Sequence, residues 1–291
     1  MTPSVALERP RPFADDWQFK DAKDLSFSQR MLLLLGVLNP SPRHFTYPTP
    51  KGKVPVYVEY QQHARLFPVA ALPVLARWAL MTYTSITIPP LAMYFFMVAY
   101  LATFTLSFVQ RMKKCAMTYG FLDGEVLRDS IPESLAGKIF HELWVGLLLR
   151  PMIAVLLAYD QHAKPELSLW LPIQLAVFTI IADFVYYWVH RATHEVDSLW
   201  HFHRRHHTTK HPASYMLAFA DEPQEIFDAI ASPLIAWLAY PIDFDMMFIW
   251  TMYFVTSEVF GHAGLRLYYP GPLVRSSKLT LDCSFASAHP V

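Results

Sequence analysis

Residues 91–109 read LAMYFFMVAYLATFTLSFV, nineteen positions without one charge. About 20 apolar residues in helical form cover the hydrocarbon core of a bilayer, so this run predicts a membrane-spanning helix and constrains the fold more than any other feature. Pro89-Pro90 separates it from a second apolar stretch, 66–88, and reads as the turn of a helical hairpin. Arg77, near the middle of 66–88, weakens that stretch as a span, because a lone charge in lipid is costly. Residues 143–159 and 167–189 predict a second hairpin across the polar loop 160–166, with Arg150-Pro151 interrupting its first arm. Residues 226–240 and 244–260 form a third pair, short and polar enough to be re-entrant. The run 31–38 is too short to span. The expected fold class is all-α: an integral membrane helical bundle of about four to six apolar segments.

Composition points the same way. Hydrophobic residues make up 54% of the 291 and charged residues 16%, against about 25% charged in soluble domains, and mean hydropathy is +0.23. Disorder is excluded, and a large soluble protein with buried helices is the disfavoured alternative. Lys+Arg 24 balance Asp+Glu 24, which leaves no electrostatic footprint for nucleic acid. Two cysteines, Cys115 and Cys283, make no disulfide framework. The first 30 residues carry Arg9, Arg11, Asp15, Asp16, Lys20, Asp21, Lys23 and Asp24 around no apolar core, so no cleavable signal peptide is expected. No repeat of 20 to 50 residues is evident.

Basic residues set the expected sidedness. The loop 110–142 carries Arg111, Lys113, Lys114, Arg128 and Lys138, and 190–225 carries Arg191, Arg204, Arg205 and Lys210, whereas 160–166 has only Lys164. Positive loops stay in the cytosol, so both termini and the stretch after Val189 are expected there. Three parts result: a polar cytosolic segment (1–65), a membrane hairpin with its loop (66–140), and the remainder (141–291).

That remainder holds a histidine cluster. Seven of the thirteen histidines fall between 190 and 211, as H190-R-A-T-H194, H201-F-H203-R-R-H206-H207 and H211. A neutral imidazole offers a metal a lone pair near pH 7, and seven in so short a stretch outweigh the usual role of a lone histidine in a core. At about 100° per residue, His190 and His194 share one helical face. His203, His206 and His207 share another, nearly opposite the first on one unbroken helix. A shared site therefore needs a break between them, and Asp197-Ser198 supplies a plausible cap for a second helix. His201 falls off the face and reads as structural, while His211 is ambiguous.

Asp183, seven residues before His190, is a candidate to hold a ligand imidazole by its second nitrogen; a structural hydrogen bond is the equal alternative. Glu258 and His262 form an i, i+4 pair at the end of the last apolar segment, which brings His262 to the same membrane side as the cluster. No cysteine lies near, which argues against a thiolate zinc site, and an all-imidazole set suits Zn, Cu, Fe or Ni alike.

The string ADFVYYWVHRATHEVDSLWHFHRRHH resembles the fatty acid hydroxylase (sterol desaturase) superfamily of integral membrane enzymes. Two of its histidine boxes, His-x-x-x-His and His-x-x-His-His, match His190/His194 and His203/His206/His207, with Asp183 and Tyr187-Trp188 in the expected places; the likeness covers roughly 140–282. The resemblance implies a non-haem centre of two irons at the cytosolic face of the endoplasmic reticulum membrane. Its ligands would be His190, His194, His203, His206, His207 and His262. It further implies O2 as co-substrate, a lipid or sterol-like substrate, hydroxylation or desaturation of an unactivated C–H bond, and cytochrome b5 or an NAD(P)H-dependent reductase as electron donor. A third box, again His-x-x-His-His, belongs after the position matched by His262, but only His289 follows it here. The expectation is therefore a truncated or altered C-terminus, with six candidates for two irons and substoichiometric metal. Two other readings stay open. One is a catalytically impaired paralogue that keeps the membrane fold; the other is a histidine-rich metal-binding or transport protein, which should place its ligands nearer mid-membrane on several spans.

Overall fold

The structure is a computed structural model that describes residues 16–39, 46–48, 52–56, 59–122, 130–166, 168–209, 211, 213–218 and 222–267. Every regular element among them is helical, and the one isolated antiparallel bridge pairs Phe121 with Leu265. In chain order the α-helices are α1 (Phe27–Leu34), α2 (Glu59–Thr84), α3 (Pro90–Tyr119), α4 (Ala136–Ala158), α5 (Leu171–Glu195), α6 (Asp197–His203), α7 (Glu222–Ile226), α8 (Ser232–Ala239) and α9 (Phe244–Gly261). The chain is an all-α membrane bundle. Four of its segments are long and apolar enough to cross a bilayer: His63–Thr84, Pro90–Tyr119, Glu133–Ala158 and Leu171–Glu195. Their outer faces suit lipid, since Ile173, Ile180, Phe184 and Trp188 along α5 all stand exposed.

The expected first hairpin forms, with Pro89 capping α3 and Pro90 opening it, where a proline loses no helical hydrogen bond. Arg77 does not weaken α2 in the way a lone charge would. Its Nη1 lies 2.6 Å from Asp245 Oδ2 of α9, and its Nη2 donates to the carbonyls of Asp160 and Ala163 in the α4–α5 loop. Nor does Arg150-Pro151 break α4, which runs through it from Ala136 to Ala158. A membrane helix tolerates an internal proline where its neighbours hold the local backbone, and Arg150 is anchored to Glu258 of α9 at 2.8 Å.

The expected third hairpin is corrected most. Residues 226–240 divide into the end of α7, a π turn (Phe227–Ala231) and α8. α9 is not a lipid-facing segment but the centre of the bundle, packed on α2, α3, α4 and α5. Met246, Met247, Phe248, Ile249, Trp250, Met252, Val255 and Val259 are all buried. A helix apolar all round has no face to offer water and goes to the middle. The Asp243 side chain caps its start by accepting from Met246 N at 2.8 Å.

At the other end of α9 the chain is tied to the end of α3. Gly120, at φ 73°, stops α3, and its carbonyl accepts from Arg266 N at 3.0 Å while Leu122 N donates to Gly264 O at 3.1 Å. That tie fixes the polar end of the bundle where α5 also ends and α6 begins.

Candidate metal centre

α5 carries His190 and His194 on its last two turns and ends at Glu195. The break falls at Val196, whose extended backbone (φ −107°, ψ 113°) redirects the chain into α6; Asp197 is the first residue of that helix rather than its cap, and no side chain caps it. α6 ends at His203, and a separate 3-10 turn, His206–Thr208, carries the last two imidazoles of the second box. The second box is therefore not one helical face, as its spacing had predicted, but a helix end and the turn after it.

These bends gather four rings. One ligand atom from each of His190, His194, His203 and His207 lies within 4.8 Å of all the others. His203 Nε2 is 3.1 Å from His194 Nε2 and 2.7 Å from His207 Nε2. Imidazole lone pairs this close repel unless a proton or a cation lies among them. His206 turns away from the four and meets His262, Nε2 to Nε2, at 3.1 Å. His262 in turn donates from Nδ1 to the Glu258 carbonyl at 2.8 Å. His201 is exposed against Phe202 and outside both groups, as its off-face position predicts.

The surroundings keep His203 and His262 neutral. His203 is fully buried, and loss of solvation lowers its pKa from 6.5 to about 4, with the neighbouring His194 adding to the effect and a hydrogen bond to Gln224 opposing it. Burial also lowers His262, against the hydrogen bond to Glu258. A neutral imidazole is the form that binds a metal. Trp200 lies 5.5 Å from the His194 ring and 5.8 Å from His207, and Tyr186 stacks on His190 at 5.5 Å.

Asp183 does not take the expected supporting role. It is exposed on α5 and makes no hydrogen bond to a histidine among the described residues. Seven residues return to the same helical face but sit about 10 Å away along the axis, beyond a carboxylate's reach. The supports come from elsewhere. Gln224 of α7 holds His203 Nδ1 at 2.6 Å, and the Glu258 backbone holds His262. Neither was legible in spacing, because Gln224 lies 21 residues from its partner and a backbone carbonyl has no sequence signature.

Residues 175–289 match the fatty acid hydroxylase family. The match starts later than the motif likeness and continues further, through His289. A protein named fatty acid hydroxylase VlmA, from Lecanicillium sp, is 40% identical over 167 residues, which take in 53% of this chain and 46% of that protein. The chain thus spans about half the length of the curated relative it matches. No solved structure matches it.

Proposed function

We infer, from the match of residues 175–289 to the fatty acid hydroxylase family, that this membrane oxidoreductase hydroxylates or desaturates a lipid at a centre of two irons. The observation that carries the reading is the convergence of four imidazoles within 4.8 Å. The residues fit a metal on their own chemistry. Burial keeps His203 neutral, and the buried His190 Nδ1 has no hydrogen-bond partner, which is the kind of orphaned polar atom that a bound cation relieves. His190, His194, His203 and His207 would hold one iron, and His206 with His262 would contribute to the other.

Iron would supply the activation of O2 that an unactivated C–H bond requires and no side chain can provide. The chain's own part is to hold and to exclude. Burial of His203 closes the inner side of the group, while His194 and His207 stand at its exposed side. Tyr186 on His190 begins an aromatic row that runs through Phe254 (6.1 Å) and Trp250 (5.0 Å) to Phe178 (5.1 Å). That row leads from the imidazoles into the core of the bundle, where Trp250 and Phe178 are buried. Electrons would come from cytochrome b5 or an NAD(P)H-dependent reductase at the cytosolic face of the endoplasmic reticulum. The 141–291 part would form the catalytic domain, with 66–140 its membrane anchor.

The test is reconstitution. The full chain, purified in detergent and loaded anaerobically with ferrous iron, is given a chemical reductant, O2 and a mixture of fatty acyl, sphingoid and sterol lipids. Oxygen uptake tied to a lipid product gaining one oxygen or losing two hydrogens supports the reading. Iron bound without any such product in the presence of every lipid class overturns it.

A further inference from the structure

Gln224 reaches the metal centre from an element that carries no histidine. It is buried at 5% exposure, and its Oε1 lies 2.6 Å from His203 Nδ1. The helix that brings it there is irregular. α7 packs on α4 and α6, whereas α8, its continuation, packs on α5. The π turn Phe227–Ala231 lies between them. A π turn takes in one residue more than an α turn and offsets the faces on either side of it. One run of chain can thus meet α5 with one face and offer Gln224 to His203 with another.

A glutamine amide can present either end to an imidazole, and the choice decides what the far nitrogen does. With the oxygen toward the ring, Nδ1 carries the proton and donates it, and Nε2 keeps a bare lone pair. With the NH2 toward the ring, Nδ1 accepts, and the proton of the neutral ring must sit on Nε2. In this molecule His203 Nε2 is the atom that faces both His194 and His207, at 3.1 and 2.7 Å. A proton there would occupy the middle of the group.

We propose that Gln224 is a positioning residue whose side-chain carbonyl locks His203 in the Nδ1–H tautomer and so aims its Nε2 lone pair at the space shared with His190, His194 and His207. The proposal rests on the metal-centre reading above. Gln224 acts on the group through His203, whose Nδ1 it holds. A carboxylate at this position keeps the acceptor, and an alkyl chain of similar size removes it.

The experiment compares the wild-type chain with Gln224→Glu and Gln224→Leu, each stripped of metal and titrated with Co(II), followed by visible absorption and bound metal per chain. Gln224→Glu is expected to bind within a few-fold of wild type, and Gln224→Leu about 10–100-fold more weakly, at unchanged helix content. Equal affinity of wild type and a folded Gln224→Leu overturns the proposal, as does a Gln224→Glu that loses as much as Gln224→Leu. A second measurement separates this inference from the metal reading. In the metal-free chain labelled with ring-15N histidine, His203 should show Nδ1–H in wild type and lose that preference in Gln224→Leu. Should the wild type bind no cobalt, the metal reading fails while Nδ1–H still supports the lock. An Nε2–H signal from wild-type His203 overturns the lock whatever the metal does.

Discussion

His206 Nε2 stands 3.1 Å from His262 Nε2, although 56 residues separate them and they lie on different elements. The six imidazoles therefore divide into a group of four and a pair, and the two should load differently. Stepwise titration of the metal-free chain is expected to fill the four-imidazole site first. His206→Ala or His262→Ala should weaken only the later step, and His203→Ala should abolish the first. Bound metal per chain, measured at each step for all three variants, checks this ordering.

The Arg77–Asp245 pair is buried on both sides, at 5% and 9% side-chain exposure. Removing one partner of such a pair leaves an uncompensated charge and costs about 3–5 kcal/mol, whereas replacing both by apolar residues of similar size costs far less. Arg77→Met is therefore expected to destabilise the chain by roughly that amount in detergent unfolding. Because Arg77 also holds the loop carbonyls of Asp160 and Ala163, Asp245→Leu together with Arg77→Met should recover much of the loss but not all of it.

Stability of the metal-free chain should depend on pH through His203. Its pKa is depressed to about 4 in the folded state against 6.5 ordinarily, so between these values the unfolded chain binds the extra proton. The contribution is complete above about pH 6.5 and is lost as pH falls toward 4. Melting curves at pH 7.5 and 5 are expected to show a drop in wild type and a smaller one in His203→Asn.

Sidedness is testable without the active protein. An acceptor tag for N-glycosylation inserted in the loop 160–166 should be modified in microsomes, and the same tag fused ahead of Met1 should not, as the basic loops require. The reverse pattern would turn the bundle over and put the histidines in the lumen.

Much of this arrangement was legible in the sequence because it follows from local rules. Runs of apolar residues predict α3 and α5, and repeated histidines predict that His190, His194, His203, His206 and His207 converge once a chain break is required; four of these five form one group. What spacing could not supply was set by tertiary neighbours. Arg77 reads as a defect until Asp245 is beside it, and the two are 168 residues apart. α9 reads as a weak membrane segment because composition does not distinguish a helix surrounded by lipid from one surrounded by other helices. Asp183 is a candidate support for a ligand imidazole, on a par with a structural hydrogen bond, because its helical angle is right, but angle says nothing of the distance along the axis. The division of the second box, with His203 and His207 on one side and His206 on the other, depends on α6 ending at His203, a boundary that sequence patterns mark poorly.

The tie between Gly120–Leu122 and Gly264–Arg266 also bears on the order of biogenesis. The last of the four clustered imidazoles leaves the ribosome 55 residues before His262, since 262 − 207 = 55. At roughly 5–20 residues per second that is a delay of roughly 3–11 s. During it the four clustered histidines have all been made, but neither α9 nor the strap that anchors α9 to α3 has. In the proposed centre the ligands of the four-imidazole site would thus be made first, while the pair of His206 and His262 would wait for the last helix of the bundle.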